Sequence, residues 1–341
     1  MKKSWLNKYC LIVCIALCGI TSCKKSTHTP VDGVTANVYV AGYIAVDAGT
    51  NQAAYWKNGN LNILSEYGIE AKANALTVNL GNVYTAGYVI QGNLQRAMYW
   101  KNNEQIGLPN SASLPSNALA ITTGGADVYV AGYLNGAVQQ AVYWKNGILV
   151  SLAPDGATAS VATGIYVQGS DIYVAGSVGF GSVTKPALWK NGVPTYLETD
   201  ADKYTIALGV TAVGSDVYVC GSENSSDQSH IQTSIYWKNG VKQTITSNAG
   251  TSAIIANGND VYITNNEAAG LSYWKNGTVT AVTSNGVPIK TEANGISVSG
   301  TDVYLAGKFN GSATYWKNGK ATTLSVGGGV SEANAIVVVA K

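Results

Sequence analysis

Histidine is almost missing from this chain. Its 341 residues hold two, His28 and His230. That excludes His-based triads repeated along the chain and His-rich metal sites. Charged residues make up only 12% of the chain, and helix-length stretches of Ala, Leu, Glu and Lys do not occur. With 39 Gly, and with 21 Tyr and 8 Trp against 2 Phe, the composition reads as all-β. The charge is balanced, at 21 basic against 19 acidic side chains, which offers no electrostatic footprint for nucleic acid. Cysteine occurs at positions 10, 14, 18, 23 and 220 only.

The start of the chain is a leader. "MKKSWLNK" is a basic n-region, and "YCLIVCIALCG" is an apolar run too short to span a membrane. "ITSC" follows and resembles a bacterial lipobox, with cleavage before Cys23. The resemblance implies a lipid on Cys23 and a division into a signal peptide (1–22), a lipidated tether (23–30) and a folded domain (31–341). Lys24 follows the Cys, which in such lipoproteins implies the outer membrane. No acidic export stretch comes after it, so the expected position faces the periplasm. Three cysteines leave with the leader and one carries lipid, so Cys220 has no partner within the chain. It stands in "VYVCG" where other segments have "VYVAG", and reads as a small buried residue in place of Ala.

What is there in abundance is repetition. "YWKNG" occurs five times, with near-copies "YWKNN" at 99–103 and "LWKNG" at 188–192. The Trp residues are Trp56, Trp100, Trp144, Trp189, Trp237, Trp274 and Trp316, at intervals of 44, 44, 45, 48, 37 and 42. Such periods mean propeller blades or solenoids. Each unit reads as four short strands, a to d. In the third these are "NALAITTGGA", "DVYVAGY", "AVYWKNG" and "ILVSL". Asn-Gly between strands c and d predicts a type I′ hairpin, and "GSD", "GND" and "GTD" predict the same turn between a and b. Antiparallel pairing of b with c then sets Asp127 opposite Lys145, Tyr129 opposite Tyr143 and Ala131 opposite Ala141. The Trp residues take the opposite face of strand c from the Tyr residues and pack between blades.

The ends settle ring against solenoid. The first unit begins at strand b, "NVYVAGY" (37–43), and the last is followed by a surplus strand a, "EANAIVVVA" (332–340). A ring uses that strand to complete the first blade, whereas an open solenoid needs polar caps. The expected fold is an all-β, seven-bladed β-propeller of four-stranded antiparallel blades, closed by the C-terminal strand. The repeat resembles that of bacterial lipoproteins built of YWKNG-type β-propeller units, a resemblance covering the whole chain after the tether. It implies the fold and little about activity, because propellers include enzymes, binders and scaffolds.

No Gly-rich phosphate loop follows a strand, and the sialidase Asp-box, WD-repeat and quinoprotein signatures do not match. The expectation is a non-enzymatic module without metal or cofactor, a monomer that binds peptide, glycan or protein on the face carrying the d–a connections and b–c loops. Near the start of strand a stand Asn74, Asn117, Thr163, Leu208, Ser252, Asn294 and Asn334. The four Asn either meet a ligand at the channel mouth or satisfy each other, the backbone or water. Glu292 and Glu332 stand two residues before two of them. The alternative function, a carbohydrate-active hydrolase or lyase, would use these carboxylates. Tyr43, Tyr88 and Tyr133 follow "AG" in the first three blades and offer either a stacking platform or packing for a neighbouring loop. In "LETDADKY" (197–204), Glu198, Asp200 and Asp202 form either a solvated acidic loop or oxygen ligands for Ca²⁺. His230 lies in the polar stretch "SSDQSH" and reads as solvated.

Overall fold

The computed structural model describes residues 36–47, 49–109, 114–200, 203–225, 232–324 and 329–341. Every regular element among them is a β-strand. The expected leader and tether, with Cys23 and His28, lie outside the described residues, as do Asp202 and His230.

Seven antiparallel sheets form the blades of a β-propeller. Blade 3 shows the plan, with strands Ser116–Gly124, Asp127–Asn135, Gln139–Lys145 and Ile148–Ser151 running a to d. Each strand a touches the strand a of the next blade all the way round the axis. The ring closes as the ends of the sequence demand. Ser331–Val339 pairs antiparallel with Asn37–Asp47, from Asn37 opposite Val339 to Ile44 opposite Ser331. Blade 1 is thus built from both ends of the domain. A short hairpin, Thr283–Ser284 with Val287–Pro288, is inserted between blades 6 and 7.

The Trp residues fill the seams between blades. Six are at most 1% exposed, and Trp274 is 5% exposed. Trp100 of blade 2 packs with Tyr39, Ala41 and Tyr55 of blade 1. Trp56 of blade 1 packs with Tyr304, Ala306 and Leu324 of blade 7. Each ring is therefore driven into the preceding blade, and burying so large a side chain stabilises a seam by roughly 2–3 kcal/mol.

The b–c register differs from the expected one by two residues. Lys145 lies opposite Tyr129, Tyr143 opposite Ala131 and Ala141 opposite Tyr133. A shift of two leaves every side chain on its expected face. The reason is the lysine stem, which lies along the tyrosine so that its ammonium sits over the Tyr129 ring at 5.3 Å. From there it reaches diagonally to Asp127 at 2.9 Å. The six Asn-Gly c–d turns are type I′ as expected, with Asn146 at φ 50° and Gly147 at φ 81°, whereas in the Asn102-Asn103 turn of blade 2 only Asn102 has positive φ. The "GSD"-type a–b turns are not. Gly169 alone has positive φ, at 60°, so the turn to Asp171 is type II′ with Gly at its first central position.

Strand a carries a bulge at the same place in six blades, for example between Ala118 and Ala120 opposite Gly132 and Ala131. The bulge presses a carbonyl onto strand b, so that a Cβ on Gly132 would collide with the carbonyl oxygen of Asn117. Blade 6 has Asn265 at the glycine position, opposite Ser272. There strand a is broken into Ala249–Gly250 and Ile254–Asn257. The side chain of Thr264 caps the gap, accepting hydrogen bonds from the amides of Ser252 and Ala253 at 2.8 and 2.9 Å.

Candidate functional site

The turn face is internally satisfied. In five blades the turn lysine pairs with the Asp that opens strand b, at 2.7–2.9 Å. In all seven it lies over the strand-b tyrosine. The turn Asn is used twice. Asn146 donates from Nδ2 to Asp127 at 2.7 Å and accepts from the amide of Val128 at 2.9 Å. Asn37 and Asn82 replace the Asp in blades 1 and 2 and accept the same bond from Asn58 and Asn102. The Lys and Asn of the recurring pentapeptide are thus bonded within their own blade, while its Trp serves the seam with the preceding one.

The axial channel has a volume of about 230 Å³. The six bulge residues Asn74, Leu119, Thr163, Leu208, Asn294 and Asn334 line it, with Ser252 from the gap in strand a of blade 6. Asn117 is not among them and must be corrected. It pairs with Tyr133, one step out from the bulge, where blade 1 has Glu332 opposite Tyr43 and blade 2 has Lys72 opposite Tyr88. Four of these side chains stitch their blade to the next. Asn334 donates to the carbonyl of Ala73 at 2.9 Å, Asn74 to Ala118 at 2.8 Å, Thr163 to Ala207 at 2.8 Å and Asn294 to Ala333 at 3.0 Å. Because the partner is a carbonyl, the amide nitrogen must face it, and that bond leaves each Asn oxygen unspent. Asn74 also donates to Asn117 Oδ1 at 2.9 Å, and Asn294 to Glu332 at 3.2 Å.

Outside the channel the sevenfold pattern breaks down. Tyr43, Tyr88 and Tyr133 stand half-buried on three consecutive blades, and the phenol of Tyr88 feels both its neighbours. Tyr43 donates to Glu332 at 2.8 Å, and Tyr88 to Glu70 at 3.2 Å. Glu70 is further held by the backbone and side-chain nitrogens of Asn51. Burial, then the bonded Glu332, pushes the Tyr43 phenol up to about 12. Burial and Glu70 push Tyr88 up further. Both phenols are therefore fixed as donors at neutral pH. Lys72 lies over the Tyr43 ring at 4.4 Å. Blades 4 and 5 have only Ser177 and Ser222 at the tyrosine position.

Between blades 7 and 1 this patch opens into a cavity of about 380 Å³. Glu292 and Glu332 both line it, with Asn294, Lys308 and Asn310. Glu70, Lys72 and Lys308 were not singled out from the sequence. The signal for Lys72 was present, because "AKANA" in blade 2 matches "SEANA" in blade 1 with Lys in place of Glu332.

The acidic loop near residue 200 is occupied by a lysine. Lys242, with a side chain 14% exposed, pairs with Asp200 and with the buried Glu223. Burial opposes its charge, yet the bonds to Asp200 and Glu223 raise its pKa overall. Glu198 accepts from the Lys242 amide at 3.0 Å. Cys220 is fully buried beside Val261, Ile263 and Trp274, and burial pushes its thiol up to about 12. That protonated thiol fits the small packing role read from the repeat.

No family model and no curated protein sequence matches the chain. Solved structures do. A puromycin-hydrolysing peptidase of Mycobacterium tuberculosis superposes with a TM-score of 0.54 at 10% identity, over 84% of this chain and 52% of that one. One of two prolyl endopeptidases superposes with a TM-score of 0.51 at 12% identity, over 88% of this chain and 50% of that one. The chain thus spans about half the length of these two proteins. At such identities the likeness is one of fold, and it joins this chain to β-propellers.

Proposed function

We propose that this propeller is a non-enzymatic binding or scaffolding module, anchored through Cys23 in the outer membrane on the periplasmic side, that takes a peptide, glycan or protein on its axial loop face. One observation carries the reading. On a ring otherwise bound by repetition, Tyr43, Tyr88 and Tyr133 group with Glu70, Lys72 and Glu332 on one side. Tyrosines that combine an apolar ring with a fixed donor suit recognition surfaces. The ring itself needs no tyrosine there, since blades 4 and 5 fold with serine.

The protein supplies its own control. The variant Tyr43→Ser, Tyr88→Ser, Tyr133→Ser copies blades 4 and 5, so the fold is expected to survive. Screened on arrays of capped peptides and of glycans, the wild-type chain is expected to bind a defined set that the triple variant loses. Equal binding by both would remove the axial patch from consideration.

A second reading, a carbohydrate-active hydrolase or lyase, draws on Glu292 and Glu332 lining one cavity. Glu332 already accepts from Tyr43 and Asn294, which suits a fixed acceptor better than a proton donor. Polysaccharide cleavage by the wild type that Glu332→Gln and Glu292→Gln each abolish would establish this reading instead.

A further inference from the structure

The side chains lining the cavity between blades 7 and 1 offer more acceptors than free donors, the donors being the Lys308 ammonium and the Asn310 amide. The Glu292 carboxylate is exposed and has no hydrogen bond or ion pair among the described residues. Glu332 accepts one bond at each oxygen, from Tyr43 and from Asn294, and retains lone pairs. Both protons of the Asn294 amide are spent, on Ala333 and Glu332, which leaves its oxygen, an acceptor, as the unspent group. The Thr291 hydroxyl is spent on the carbonyl of Lys308. Lys308 is the one cation of the lining among the described residues and stands 4.0 Å from Glu332, too far for a hydrogen bond. Two carboxylates thus face a single ammonium.

We infer that this cavity binds a primary ammonium group carried on a flexible stem, seated between Glu292, Glu332 and the side-chain oxygen of Asn294. An ammonium brings three donors and no acceptor, which matches the surplus. The adjoining wall already seats one, since Lys72 of the same face rests on the Tyr43 ring. A divalent cation fits less well, because it asks for six or more oxygens and would meet Lys308. This inference deepens the binding reading above and rests on it.

The test uses the full-length chain with asparagine side chains labelled with ¹⁵N, titrated with two amines and their neutral counterparts. One pair is a capped Gly-Lys-Gly peptide and its Nε-acetylated form. The other is glucosamine and N-acetylglucosamine, so the arms separate a peptide source from a sugar source. The Asn294 resonance is expected to shift with at least one amine and not with its acetylated form. Glu292→Gln, at an exposed side chain with no internal bonds, is expected to weaken that binding by about tenfold or more. Lys308→Met is expected to strengthen it, because it removes the competing cation. If Lys308→Met weakens binding, the site takes an anion or a zwitterion and the inference is wrong. If acetylated and free forms bind alike, the ammonium assignment fails while binding on the axial face stands. If no probe moves Asn294 while array ligands still bind elsewhere on the axial face, the cavity assignment fails alone. If no ligand of any kind perturbs that face, both fall.

Discussion

At the scale of single residues, two positions show how backbone conformation selects side chains. Leu80 sits in the a–b turn of blade 2 with φ 49° and is 87% exposed. A branched side chain in the left-handed region is strained, and nothing here is gained by burial. Leu80→Asn is expected to stabilise the protein by about 1 kcal/mol, measured as a rise in the denaturant midpoint at unchanged m-value. Gly132 is the opposite case. Its backbone is ordinary, and glycine is needed because the bulged carbonyl of Asn117 leaves no room for a Cβ. Gly132→Asn copies what blade 6 has at Asn265. It is expected to break strand a of blade 3 near Ala118 and to cost about 3 kcal/mol, read from denaturation and from faster amide exchange in that strand.

At the scale of the element, the turn between strands c and d is a small electrostatic unit. Hydrogen bonds from the turn lysine hold Asp171, Asp216, Asp260 and Asp302 below the usual carboxylate range. For Asp127 the bond from Asn146 is the largest cause, followed by that from Lys145. Since each folded-state pKa lies below its unfolded value, the stabilisation is present above the unfolded pKa and is lost as pH falls through the folded one. The denaturant midpoint is therefore expected to hold between pH 7 and pH 5 and to drop below about pH 4. Replacing the five Asp by Asn is expected to flatten that acid limb. The sequence already showed that each Lys and Asp belong to one blade, but not their register. Opposite charges suggest a directly opposed pair, whereas the long lysine stem packs along Tyr129 and bonds the Asp diagonally. The same kind of step misplaced Asn117. "SNALA" and "KANAL" look alike as letters, yet the bulge falls on Leu119 in one and Asn74 in the other. An unpaired residue in strand a is invisible until the partner strand is seen.

At the scale of the whole molecule, blade number and ring closure were legible because they follow from counting and from the unmatched ends. The axial patch was legible only in part. The tyrosines stood out because later blades lack them, and Glu332 by standing two residues before Asn334, but their bonding to one another depends on the C-terminal strand returning to blade 1, a contact between residues 289 apart in the chain. Repetition builds the ring, and the proposed recognition surface lies where repetition lapses. The most direct measurement is a hydrogen-exchange footprint of a ligand taken from the peptide and glycan arrays. Slowed exchange is predicted around Tyr43, Tyr88 and the segment from Glu332 to Asn334, with the Asn-Gly turns unchanged. Protection at those turns instead, with the axial patch unaffected, would contradict the account.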